Sequence, residues 1–217
     1  MIICGEEPAR DYVASLCDSA AMARLERLAE MLSVENARQN LVAQGSIGHI
    51  WQRHIADSAQ LFRFVSRETG PWMDLGTGAG FPGLVLAAIR PEGSFLVVES
   101  RKKRAEWLQY CVSELSLNRC EVLGQRLERI DSFPVATLSA RAFAPLVDTI
   151  HLGARFSSDE TQWVLPKGRG AALELESLPL HQRQLFHVEP SLTDGDAGII
   201  VGRLAAVAQA RKPRAKS

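Results

Sequence analysis

The chain has 217 residues, 46% of them apolar, and its 25 Lys plus Arg balance 25 Asp plus Glu. That is enough chain for a sizeable core in one domain with an embellishment, and a zero net charge points to no polyanionic partner, so only the local distribution of charge can speak to one. No apolar run approaches the ~20 residues of a membrane span and the start lacks the pattern of a signal peptide, so a cytoplasmic protein with no membrane attachment is expected. Cys4, Cys17, Cys111 and Cys120 are scattered and the five histidines lack ligand spacing, so neither a disulfide framework nor a metal site is expected.

Pro8 to Cys17 and Ser19 to Arg38 read as helices, the second with Met22, Leu25, Leu28, Ala29, Met31 and Leu32 on one apolar stripe. After a polar break, Ser46 is placed to cap a third helix on which Ile47, Ile50, Trp51, Ile55, Leu61, Phe62 and Val65 keep helical spacing until Gly70-Pro71. Residues 1–70 are thus expected to form a helical extension, 71–204 a sheet domain and 205–217 a basic tail without order.

From Trp72 the pattern alternates as in an α/β domain. Strands are expected at Trp72–Leu75, Ser94–Glu99, Cys120–Leu123, Ala136–Ser139 and Gln162–Pro166. The helices between them are expected from the glycine turn to about Arg90, over Arg101–Ser116 and around Pro145–Phe156. Leu185–Val188 and Gly198–Leu204 have only the turn Thr193-Asp194-Gly195-Asp196 between them and should pair as an antiparallel hairpin.

The most informative stretch is Asp74-Leu75-Gly76-Thr77-Gly78-Ala79-Gly80-Phe81-Pro82-Gly83, a strand running into a glycine-dense turn that opens a helix. Gly76, Gly78 and Gly80 permit backbone conformations closed to other residues and let a ligand lie against the main chain, while Pro82 suits a first helical turn. Free amides at the helix start favour a polar or anionic group, and such turns at the carboxyl ends of parallel strands bind nucleotide-like ligands. Asp74 could meet a cationic amino-acid end of a ligand, or it could cap the turn.

Other candidates fall on the same rim. Glu99 ends the second strand, where a carboxylate can accept both ribose hydroxyls, or it caps the next helix. Arg126-Leu127-Glu128 follows the third strand as a loop able to close over a base, or as a solvated loop. At the end of the fourth strand Arg141 offers a planar fork and Phe143 a stacking face, the alternatives being an ion-paired arginine and a core phenylalanine. Lys167-Gly168-Arg169-Gly170 adds cations there. Arg101-Lys102-Lys103-Arg104 opens a helix where cations oppose the dipole, and His54, beside the apolar stripe, reads as a hydrogen-bonded structural residue.

Asp74 to Gly83 followed by Glu99 resembles the cofactor-binding motifs of the class I S-adenosylmethionine-dependent methyltransferases. Asn40-Leu41, Arg53-His54-Ile55 with Asp57-Ser58, the glycine turn, Lys103-Arg104, Ala140-Arg141-Ala142 with Phe143, and Lys167-Gly168 stand in the order and spacing of the RsmG (GidB) family, over about residues 20–204. The resemblance implies a Rossmann-like α/β fold with a mostly parallel seven-stranded sheet ending in an antiparallel hairpin. It implies that Gly76 and Phe81 line an S-adenosyl-L-methionine site, with Asp74, Gly78, Gly80 and Glu99 following from the wider class. Leu127 and Glu128 would contact the adenine end and Arg141 would close the site. Glu99 stands where many members have aspartate, which keeps the carboxylate but moves it outward.

The implied reaction is methylation of a guanine N7 in the decoding-region loop of bacterial 16S ribosomal RNA, by a monomer acting on the RNA or on the small subunit. Arg141 and Phe143 would position the base, and Arg53, Lys103, Arg104 and Lys167 would meet phosphates. Guanine N7 has an in-plane lone pair and no proton, so no general base is expected, in keeping with the lack of a triad, carboxylate dyad or metal set. Two other classes use some of the same features. A nicotinamide-dependent oxidoreductase would use the glycine turn and Glu99, and a non-catalytic RNA-binding protein would use only the basic rim.

Overall fold

The computed structural model describes residues 2–66 and 70–204, so the basic tail expected at 205–217 lies outside the described residues. Helix α1 (Glu6–Ala14) leads into α2 (Ser19–Gln39). The Asp18 side chain accepts the Ala21 amide at 2.7 Å to start α2, and Asn40 ends it in the left-handed conformation at φ 46°.

The helix expected from Ser46 is a right-handed helical path whose hydrogen bonding changes along it: a 3-10 segment Gln44–His49, a π-helical segment Trp51–Ala56, α3 (Asp57–Ala59) and a second 3-10 segment Gln60–Phe64, with Ile50, Ala56, Asp57, Ala59 and Gln60 all helical in backbone conformation. Glu6 supplies a physical reason. Its carboxylate accepts the amides of Trp51 at 3.0 Å and Gln52 at 2.9 Å, so the hydrogen bonding changes there under an outside cap. Ser46 does not cap it: its hydroxyl donates to the Ala43 carbonyl at 2.7 Å and meets His54 Nε2 at 2.9 Å.

The sheet follows with β1 (Trp72–Leu75), α4 (Gly83–Ile89), β2 (Phe95–Val98), α5 (Lys102–Glu114), β3 (Cys120–Leu123), β4 (Thr137–Ser139), α6 (Leu146–Gly153), β5 (Gln162–Lys167), α7 (Ala171–Glu176), α8 (Leu180–Arg183), β6 (Phe186–Pro190) and β7 (Gly198–Arg203). Its seven strands run in the order β3-β2-β1-β4-β5-β7-β6. The first five are parallel, and β7 is antiparallel to both β5 and β6. This is the expected sheet with its closing hairpin. Helices α7 and α8 were not expected, because elements of six and four residues are too short to establish a helical period.

Both faces of the sheet are covered, so β1 is buried at all four positions. Trp72 packs in a core with α1, α2, α4 and α5, whereas Met73 and Leu75 point into a second core with Trp163, Phe156 and Ile150. The N-terminal helices therefore share a core with one face of the sheet. Asp74 points to the α4 face, and Gly83 lets α4 approach: a methyl group there would lie 2.4 Å from Val97 Cγ1 and 3.0 Å from Asp74 Oδ2.

That contact makes Gly83→Ala an overpacking substitution. It should destabilise the protein by about 1–3 kcal/mol and lower the thermal midpoint by several degrees; an unchanged or raised midpoint would show that α4 has room to move.

Candidate active site

The glycine turn is shaped by its backbone. Gly76, Gly78 and Gly80 have φ of 65°, 61° and 109°, all in the region that favours glycine. Gly76 is also sterically bound to the opposite loop, since a methyl group on it would sit 2.3 Å from Phe143 Cδ2. Beneath the turn, β1 and β4 place Asp74 beside Ser139 in register. Asp74 Oδ1 accepts the Ser139 hydroxyl at 2.7 Å and Oδ2 accepts the Gly83 amide at 3.0 Å. Ser139 Oγ in turn accepts the Trp72 indole N–H at 2.9 Å. Asp74 is thus engaged on both oxygens inside the protein and holds turn, helix and strand together. Burial pushes its carboxyl up to about 6, against the opposing pull of its hydrogen bonds and of Arg141.

A cavity of about 480 Å³ opens between the turn and the ends of β2 and β3. Gly76 and Phe143 bound one side, Glu99 ends the strand beneath, and Leu127 and Glu128 close the far side. Glu99 is 6% exposed and its Oε1 accepts the Arg101 amide at 2.8 Å, so it caps the chain before α5 while its carboxylate faces the cavity. Leu127 and Glu128 begin a 3-10 turn that Arg155 ties down by donating to the carbonyls of Glu128 at 3.2 Å and Ile130 at 2.7 Å. Arg104 lines the cavity near the turn, as do Arg101 and Arg126 at its edge.

Phe143 also borders a larger cleft, of about 1300 Å³, between the rim and the N-terminal segment. Arg53, His54, Asp57 and Arg141 form one wall. Arg141 crosses from the sheet to that segment, donating to the Arg53 carbonyl at 3.1 Å and pairing with Asp57 at 3.2 Å. Its Nη2 lies 3.1 Å from His54 Nδ1. A guanidinium can only donate, so His54 Nδ1 accepts and Nε2–H faces Ser46. Burial and the charges of Arg141 and Arg53 hold the His54 imidazole down at about 3, so it stays neutral in this bond. Phe81 stacks on His54 at 4.9 Å between ring centroids, with the Arg141 guanidinium 5.2 Å over its ring.

Several expected residues thus meet at the two cavities, and others do not. Gly76, Glu99, Leu127, Glu128, Arg104 and Phe143 surround the smaller one, and Arg141 and Arg53 border the cleft. The Phe81 ring, expected to line the cofactor site, is 3% exposed and packed on His54 instead. Lys167, expected to meet phosphate, does line the larger cleft, but its side chain is only 9% exposed and is paired within the protein, bonding Glu174 at 2.8 Å and the Ala144 carbonyl at 3.1 Å. Lys103 faces a separate groove between α2 and α5, among Glu30, Glu35 and Glu106. Asp57, which fixes Arg141, was not singled out as a site residue, because helical spacing alone does not reveal a partner 84 positions away.

The raised Asp74 carboxyl has a stability consequence. Its folded pKa lies above the unfolded value, so the contribution is full below about pH 4 and lost as pH rises through about 6. The stability advantage of the wild type over Asp74→Asn, followed by chemical denaturation, should shrink across that window; an advantage that grows instead would contradict the burial argument.

The chain is similar to several known proteins. The family model described as rRNA small subunit methyltransferase G (GidB) matches residues 21–190. The ribosomal RNA small subunit methyltransferase G of Erythrobacter litoralis is 57% identical over 202 residues, covering 93% of this chain and 98% of its own. Its counterpart in Novosphingobium aromaticivorans is 54% identical over 192 residues, covering 87% and 83%. Among solved structures, a SAM-dependent methyltransferase from Aquifex aeolicus superposes with a TM-score of 0.53 at 16% identity, covering 70% of this chain and 90% of its own. A precorrin-6y C5,15-methyltransferase from Geobacter metallireducens gives 0.52 at 12% identity, covering 77% and 92%; both likenesses concern the fold. The chain belongs to the rRNA small subunit methyltransferase G (GidB) family.

Proposed function

We propose that this protein transfers the methyl group of S-adenosyl-L-methionine to N7 of a guanine in the decoding-region loop of 16S ribosomal RNA. The observation that carries the reading is the pair of cavities meeting at Phe143, one built by the glycine turn and Glu99, the other open to a bulky substrate. The smaller cavity fits the cofactor: its size is within the ordinary range of small-molecule pockets, and the Glu99 carboxylate, Leu127 and Glu128 line it beside Gly76. When bound, the cofactor supplies an activated methyl group on a sulfonium.

The chain's own residues then have positioning work only. Glu99 receives the ribose hydroxyls, Leu127 packs against the adenine and Glu128 accepts from it, and the backbone of Gly76, Gly78 and Gly80 admits the amino-acid end. Asp74 acts at one remove by holding the turn. Phe143 stacks the guanine between the cavities and Arg141 fixes the wall beside it, anchored by Asp57 and His54. A guanine N7 acts as nucleophile through its lone pair and loses no proton, so in-line approach and a field tolerant of positive charge on the base are what the site must provide. In an A-form helix N7 lies in a deep, narrow groove, so the target base is unpaired or flipped. Arg53 at the cleft and Arg101 and Arg126 at the cavity mouth meet phosphates. The described residues of the N-terminal segment, 2–66, contribute the substrate-side wall and 71–204 the methyltransferase unit, and the protein acts as a monomer.

Incubation with radiolabelled cofactor and 16S RNA or small subunits, then digestion to nucleosides, should place the label in N7-methylguanosine. Label at another position would overturn the regiochemistry, and no transfer to either substrate would overturn the reading. Phe143→Ala should lower kcat by about 10- to 100-fold, the scale of one lost stacked base, while cofactor affinity falls much less.

A further inference from the structure

We propose that Arg104 is the residue that recognises the carboxylate of the cofactor's amino-acid end, and not a phosphate contact. This rests on the S-adenosylmethionine reading above. Arg104 is half-buried on α5, borders the same cavity as Gly76 and Glu99, and lies across the glycine turn: a methyl group on Gly78 would sit 3.5 Å from its Nη1. Trp107, one turn along α5, donates its indole N–H to the Ala79 carbonyl at 3.0 Å. That bond seats this face of α5 on the turn and fixes the depth at which the guanidinium stands.

The ends of the cavity assign the ligand's ends. Leu127 and Glu128 close one side and Glu99 stands at the end of β2, so a nucleoside occupying these positions directs its amino-acid end toward Gly76, Gly78 and Arg104. That end carries a carboxylate, and Asp74, with both oxygens engaged beneath the turn, offers it nothing but repulsion. A guanidinium is the complement, through a charge-assisted and often bidentate pair. Arg104 has no carboxylate partner among the described residues, in contrast to Arg141, which is paired with Asp57. It also stands in the first turn of α5, where a cation opposes the helix dipole, and Glu99, the carboxylate at that end, accepts the Arg101 amide and forms no ion pair with Arg104. A ligand carboxylate at the cavity would supply the partner that Arg104 lacks among the described residues.

The test is isothermal titration of the full chain with two ligands, S-adenosylhomocysteine and its decarboxylated analogue S-adenosyl-3-thiopropylamine, which keeps the ammonium and lacks the carboxylate. Arg104→Ala should weaken S-adenosylhomocysteine by about 10- to 100-fold, the range of a lost charge-assisted hydrogen bond, and weaken the analogue less than threefold. Arg104→Lys should recover part of the affinity. Equal losses for both ligands would mean that Arg104 only shapes the turn and would overturn the proposal. Unchanged S-adenosylhomocysteine affinity with weaker binding of 16S RNA would assign Arg104 to phosphate and overturn it as well. A wild-type chain that binds neither ligand would overturn the cofactor reading itself.

Discussion

The structure depends on one buried carboxylate. Asp74 accepts from Ser139 on one side and from the Gly83 amide on the other, joining β1, β4 and the start of α4 around the turn, which Trp107 holds from α5 through the Ala79 carbonyl. Three glycines of that turn have positive φ and contribute no side chain to its packing, which is left to Thr77, Ala79 and Phe81. The cost of burying a charge is visible in the raised Asp74 carboxyl, and the two hydrogen bonds with the Trp72–Ser139 link offset part of it. A cavity wall made of glycine backbone depends on such an anchor beneath it, with Phe143 packed against Gly76 from the opposite loop.

A second constraint is set across the rim. Arg141 is held by Asp57, by His54 and by the Arg53 carbonyl, all from the helical segment before the sheet. Asp57 is itself braced by Thr193 at 2.8 Å and by Gln60 at 2.9 Å, so the turn between β6 and β7 joins the same network. The cleft wall is therefore assembled from three distant parts of the chain, and Phe143 stands where this wall meets the glycine turn. The division between a nucleoside-sized cavity and a larger cleft follows from that meeting point.

Much of this was legible in the sequence. The alternation of strands and helices after Trp72, the closing hairpin and the glycine turn all follow from local chemistry, since glycine density, strand period and turn residues act over a few positions. Glu99 and Leu127 could be placed on the rim because parallel strands put their carboxyl ends on one side. What could not be read depends on tertiary partners. The helix expected from Ser46 changes its hydrogen bonding at Trp51, where Glu6, 45 positions earlier, supplies an outside cap. Lys167 looks like a free rim cation until Glu174 and the Ala144 carbonyl are seen to enclose it. Phe81 follows the glycines like a cofactor-lining residue, yet His54 claims its ring. Adjacent Lys103 and Arg104 face different cavities, because neighbours on a helix point about 100° apart.

The central claim is that the glycine turn, Glu99 and Leu127 form the methyl-donor site and that the adjoining cleft receives the base. The most direct measurement is a crystal structure of the chain with S-adenosylhomocysteine. The account predicts the ribose within hydrogen-bonding distance of Glu99, the adenine against Leu127, and the sulfur directed past Gly76 toward Phe143 and the cleft. A ligand seated in the cleft, or one whose sulfur points away from Phe143, would contradict it.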